Sequence, residues 1–101
     1  MMLADVIGTV VAPVQVPAGE GRTHLVIRPV DPSGRPAGKP RIAIDTVGSG
    51  VGDRVLIVDE GNSARQVLQD PKASIRTVIV GFVDRVEYDG QTVYDHTTGN
   101  V

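Results

Sequence analysis

Apolar and polar positions along the 101-residue chain fall into short blocks separated by turn-forming residues. The first block, Leu3–Ala12, is mostly apolar and ends at Pro13, which predicts a long strand. Gly8 inside it marks a bulge, a bend or a close backbone approach. A polar loop over 13–22 leads to a second strand at His24–Val30. Pro29 has no N–H to donate, so that end of the strand belongs at an edge or a bulge. The stretch 31–40 is turn chemistry throughout and predicts a solvent-facing loop. Arg41–Asp45 alternates polar and apolar, as a half-buried third strand does. In the fourth, Arg54–Asp59, four consecutive apolar residues imply burial on both faces. Gly61–Leu68 is the one helical candidate, with Asn62 or Ser63 as N-cap and Pro71 as the stop. Thr77–Glu87 reads as a fifth strand. Asp89-Gly90 then sits between Val86–Tyr88 and Gln91–Tyr94, the signature of a type I′ hairpin. The tail from Asp95 to Val101 has no pattern and is expected to be loose.

Five strands and one short helix in a chain of this length predict one all-β domain over 1–101. Its architecture is a small five-stranded closed barrel, OB-like, over about 3–87, with a C-terminal hairpin and tail over 88–101. Composition agrees: Val and Ile supply 25 residues against four Leu, and β-branched side chains favour a pleated surface. Closure matters for such a chain, because it removes the exposed edges that so much Val and Ile would make adhesive.

Charge and residue inventory remove several functions. Ten basic residues against twelve acidic ones leave a net charge of −2, which is no footprint for nucleic acid or anionic lipid. Met1–Asp5 carries no basic leader segment and no stretch approaches the length of a membrane span. The cytosol is the expected compartment. Without cysteine there is no disulfide, thiol chemistry or zinc–thiolate site. His24 and His96 are too far apart in sequence to suggest a metal site, and both read as surface or edge residues. The adjacent pair Asp59-Glu60 reads as solvated surface. No metal, cofactor or catalytic residue is expected.

Gly48-Ser49-Gly50-Val51-Gly52 is the most conspicuous run. A phosphate-cradling loop needs a helix after it, and here a strand follows. Its glycines are better explained by positive φ and by close approach of another backbone, which a neighbouring subunit would supply.

Four blocks become specific when taken together: Val6–Val11, Asp45–Leu56, Gly61–Arg65 and Ile79–Asp84. In order and spacing they resemble the bacterial microcompartment vertex proteins of the ethanolamine-utilisation and carboxysome shells, the EutN/CcmL family. Ser49 departs from the family, which more often has Ala between those glycines. The resemblance implies a five-stranded barrel that closes into a homopentamer. Such rings cap the five-fold corners of a polyhedral protein shell in the cytoplasm, whose facets are tiled by hexameric proteins. It implies a structural protein with no catalytic residues to carry over and no nucleic-acid or membrane partner. Gly48, Ser49, Gly50, Gly52, Arg65 and Asp84 are the candidates for subunit contacts or a ring opening. For Arg65 an alternative is a tie within the subunit to Asp84 or Asp45. The alternative function is a monomeric small barrel that binds a ligand or nucleic acid.

Overall fold

The computed structural model describes residues 1–11, 22–69, 76–97 and the backbone of 99–100. Five strands, β1 Met2–Val10, β2 Thr23–Val30, β3 Arg41–Asp45, β4 Arg54–Asp59 and β5 Thr77–Phe82, close a barrel in the order β1-β2-β3-β5-β4. One helix, α1 Gly61–Leu68, links β4 to β5. Three further strands, β6 Arg85–Tyr88, β7 Gln91–Asp95 and β8 Gly99–Asn100, form a separate sheet. The molecule is elongated, 43 by 25 by 22 Å. The polar loop expected over 13–22, apart from its last residue, and the helix stop at Pro71 lie outside the described residues.

Alternation along the strands sends one set of side chains into the barrel and the other outward. Ala4, Val6, Leu25, Ile27, Ala43, Val55, Ile57 and Ile79 fill the interior. A second cluster, Ile44, Val58, Ala64, Leu68 and Val78, lies on the outside, where α1 covers β3, β4 and β5. This is why β4 reads as an unbroken apolar run: Val55 and Ile57 enter the barrel while Val58 turns out under the helix. Leu56 is only half-buried.

The glycine inside β1 does mark a bulge. The register against β2 shifts between Val6 and Gly8, leaving Ile7 unmatched and 38% exposed. Pro29 sits opposite Ala4 on β1, beyond the reach of β3, whose pairing with β2 stops at Ile27. No strand meets that side of β2, and a missing N–H is tolerated there; the following loop covers it instead, Ala37 N donating to Pro29 O at 2.8 Å and Val30 bridging Pro36.

Four expectations need correction. The helix is capped not by Asn62 or Ser63 but by Glu60, whose carboxylate accepts from both of their N–H groups at 2.7 and 3.0 Å and from the Ser63 hydroxyl. Glu60 continues the extended backbone of β4, so the strand runs into the helix without a spacer. The pair Asp59-Glu60 is accordingly not mere solvated surface: Asp59 accepts from Thr77 Oγ1 at 2.6 Å and pairs with Arg41. The predicted fifth strand is two: the ladder with β4 ends with the bond from Val83 N to Arg54 O, where β4 begins, and the chain then leaves the barrel to pair with β7. The tail is not wholly patternless, for Gly99–Asn100 pairs back on β7. The type I′ turn holds, with φ of 54° at Asp89 and 77° at Gly90.

Two outcomes follow. Ile57→Ala, at a side chain with no exposure, should cost about 2–5 kcal/mol in urea unfolding, whereas Ile42→Ala, 56% exposed, should stay within about 0.5 kcal/mol. Equal effects would contradict this placement of the core. The N–H groups of Asn62 and Ser63 hold the Glu60 carboxyl below its ordinary 4.5. A depressed folded-state value stabilises above the unfolded value and is lost as pH falls through the folded one. Stability should therefore drop as pH falls below about 4.5, and Glu60→Gln should flatten that slope in urea midpoints measured against pH.

Candidate functional site

Where β4 begins, the outer face of the barrel carries a charge that the chain has covered completely. Asp5 on β1 and Arg54 on β4 are register partners, both pointing outward. Arg54 donates from Nε to Asp5 Oδ1 at 2.8 Å and from Nη2 to Oδ2 at 3.2 Å, the two-pronged match of guanidinium and carboxylate. Its side chain is 3% exposed and that of Asp5 23%. Two further pieces close over it. The Tyr94 ring from β7 lies under the guanidinium, 4.4 Å from carbon to ring centroid. The loop after β2 presents Gly34 at φ 89°, where a Cβ would sit 2.9 Å from Arg54 Nη2. Glycine is needed there for both conformation and room. Burial pushes the Tyr94 hydroxyl above its ordinary 10.0, with Arg54 opposing and Asp5, Asp53 and Asp95 adding to the rise.

The loop between β3 and β4, 46–53, is pinned by aspartates at its two ends. Asp45 accepts from the N–H groups of Val47, Gly48 and Ser49 at 3.3, 2.8 and 3.1 Å, and from Ser49 Oγ at 2.8 Å. The Ser49 hydroxyl thus adds a hydrogen bond within the loop. Asp53 accepts from Gly50 N at 2.8 Å, and Gly52 N donates to Val6 O at 3.0 Å. Gly48 and Gly52 have positive φ, 79° and 98°. Gly50 does not, and a Cβ on any of the three would meet nothing within 4 Å.

Between barrel and C-terminal sheet runs a cleft of about 830 Å³. Ile7, Val51 and Phe82 give it apolar lining, and Asp84 and His96 stand at the joint, where His96 N donates to Asp84 O at 2.9 Å. Of the candidate contact residues the structure brings Gly52 and Asp84 to this cleft, with Gly48, Ser49 and Gly50 in the same loop as Gly52. Arg65 stands apart on α1. It donates to Asn62 Oδ1 on its own helix and, among the described residues, forms an ion pair with neither Asp45 nor Asp84. The tie expected to those residues is therefore absent, Asp45 being occupied by its own loop. No group of three or more metal-ligating side chains occurs among the described residues.

Sequence reading passed over Arg54, Asp5 and Tyr94. A carboxylate within the first apolar block and an arginine opening the most apolar strand were the available signals. What joins them is the β1–β4 pairing, which no local pattern displays.

Removing Arg54 leaves a half-covered carboxylate and an empty slot over Tyr94, so Arg54→Met should cost roughly 2–4 kcal/mol. Asp5→Asn combined with Arg54→Met should cost less than the sum of the two single changes by at least about 0.5 kcal/mol. Additivity in urea unfolding would contradict the pairing.

With the geometry in place, known proteins can be compared. The family described as ethanolamine utilisation protein EutN/carboxysome matches residues 1–84. The bacterial microcompartment shell vertex protein EutN of Escherichia coli (strain K12) is 36% identical over 97 residues, spanning 93% of this chain and 98% of that one. The solved structure of Gloeobacter violaceus CcmL superposes with a TM-score of 0.85 at 31% identity, covering 96% of this chain and 99% of its own. GrpN, a pentameric microcompartment shell protein from Rhodospirillum rubrum, gives a TM-score of 0.76 at 35% identity over 87% of this chain and all of its own. The family match over residues 1–84 and these near full-length correspondences, on a five-stranded barrel, place the chain in the EutN/CcmL family.

Proposed function

We propose that this protein is a structural subunit that closes into a homopentamer and caps the five-fold vertices of a bacterial microcompartment shell in the cytoplasm. The observation that carries the reading is the near full-length match to shell vertex proteins, one of them pentameric in its solved structure. The role is architectural rather than catalytic: the charged groups on the barrel's outer face are engaged in holding the fold, Arg54 on Asp5 and Asp45 on its loop. The partners are four further copies of the chain and, at the rim, hexameric facet proteins of the shell.

A ring closed by rotation uses a heterologous interface, with two different patches on every subunit. The loop from Gly48 to Gly52 belongs to one of them. Asp45 and Asp53 hold that loop in one shape, and its glycines keep the surface low enough for another backbone to come close. Arg65, half-exposed on α1, is a second contact candidate, since its bond to Asn62 leaves guanidinium N–H groups for a neighbour's carbonyl or carboxylate.

Native mass spectrometry tests the ring directly. Five chains of 10.6 kDa give about 53 kDa, and a monomer at every concentration would overturn the proposal in favour of a small binding barrel. Gly50→Val tests the loop. A Cβ there meets nothing within 4 Å in the subunit, so far-ultraviolet circular dichroism should be unchanged while the pentamer is lost. An intact pentamer in that variant would remove the loop from the contact.

A further inference from the structure

Of the joints that close the barrel, the one between β3 and β5 is parallel and the shortest. Opening it would be costly in two ways. The apolar cluster of Ile44, Val58 and Val78 beneath α1 would meet water, and two unpaired strand edges would be offered to any other chain.

At the end of the barrel where β3 and β5 begin, three polar side chains meet. Arg41, Asp59 and Thr77 each stand two residues from an interior side chain, namely Ala43, Ile57 and Ile79, so alternation turns all three toward the barrel's mouth. Asp59 is the centre of the group. Its Oδ1 accepts from Thr77 Oγ1 at 2.6 Å, and its Oδ2 pairs with Arg41. Arg76 donates from Nε to the Asp59 carbonyl at 3.3 Å, and the same nitrogen lies 3.7 Å from Oδ1. The Asp59 side chain is only 11% exposed and Thr77 is buried. Thr77 is the register partner of Asp59 on β5, whereas Arg41 belongs to β3. By the parallel register Thr77 falls opposite Ala43, and Arg41 lies further back still, beyond the end of the ladder. The carboxylate thus holds β3 where its backbone pairing with β5 has already stopped.

We infer that Asp59 is a clasp for the barrel: from the end of β4 it binds the first residue of β5 and the first residue of β3, and so keeps the shortest joint shut. A carboxylate withdrawn this far from water gains little over an apolar side chain in stability alone, so its use lies in direction. Apolar packing would let β3 swing outward and repack. An ion pair whose carboxylate is itself anchored by the Thr77 hydroxyl ties one position on β3 to one place at the mouth. The next residue extends the device, since Glu60 caps the helix that covers the same joint from outside. Two successive carboxylates therefore hold the joint at its mouth and the helix that shields it. Removing the first should loosen this joint before it loosens the rest of the barrel.

The chain has no cysteine, so an introduced one is the sole thiol. Val78→Cys places it on β5 at the joint, beneath α1, and Val6→Cys places it inside the barrel on β1, away from the joint. Both positions are buried, so a maleimide reaches them only when the structure opens. Asp59→Asn is added to each, and labelling rates are read without denaturant. Labelling at position 78 should rise at least about tenfold and at position 6 by no more than about threefold, because a local opening bares the joint alone. Equal acceleration at the two positions would make Asp59 an ordinary contributor to global stability and overturn the inference, and an unchanged rate at position 78 would overturn it as well. Should Asp59→Asn fail to fold by circular dichroism, Arg41→Met removes the pair from its more exposed end, at a side chain 35% exposed, and the same two rates decide.

Discussion

A guanidinium withdrawn from water must be met on every side, and in this protein that requirement ties together three parts of the chain that are distant in sequence. Arg54 needs Asp5 from the first strand, the flat face of Tyr94 from the C-terminal sheet and a glycine at position 34 to let a loop lie over it. An apolar side chain of the same volume would pack there at no desolvation cost, so a buried pair of this kind is weak ground for stability alone. Its geometry is directional in a way that apolar packing is not. It fixes the pairing of β1 with β4 and the angle at which the C-terminal sheet leaves the barrel, and with that angle it shapes the cleft.

The rest of the framework divides the work between two apolar clusters. The barrel interior is filled entirely by strand residues, while the helix covers an outer face that would otherwise leave Val58 and Val78 wet. A barrel this small has room inside for side chains and nothing else. Function therefore belongs on the outside, in the loops and in the sheet beyond the barrel, and a family of shell-forming proteins fits that arrangement.

What the sequence disclosed follows the range of the interactions involved. The barrel strands, the bulge at Gly8 and the turn at Asp89-Gly90 are set by neighbours within a few residues, and local pattern found them. The cap at Glu60 was missed because Asn62 and Ser63 are better capping types; here they serve as donors to a carboxylate that the strand delivers directly. The break after Phe82 was hidden by apolar positions that continue at Val83 and Val86, although β4 offers no residue to pair beyond Arg54 and Val86 pairs with β7 instead. The second partner strand at Gly99–Asn100 has residues of low strand propensity and forms by pairing alone. The glycine run was legible as a loop of special backbone, but its aspartate clamps and the Arg54 cluster depend on strand pairing. Resemblance to a family reached further than pattern, since it carried topology that no window of residues contains.

The barrel is not equally strong around its girth. β3 and β5 meet in parallel over only two register positions, Ile44 with Val78 and Asp45 with Ile79, and Thr46 Oγ1 adds one bond to Ile79 O at 2.8 Å. Every other joint is antiparallel and longer. The two strands of this seam are also separated in the chain by β4 and α1, and few bonds offset the cost of closing that loop. The cylinder thus has a built-in zip. Its amides are expected to exchange early, while the Arg54 cluster sits on a separate joint, that between β1 and β4.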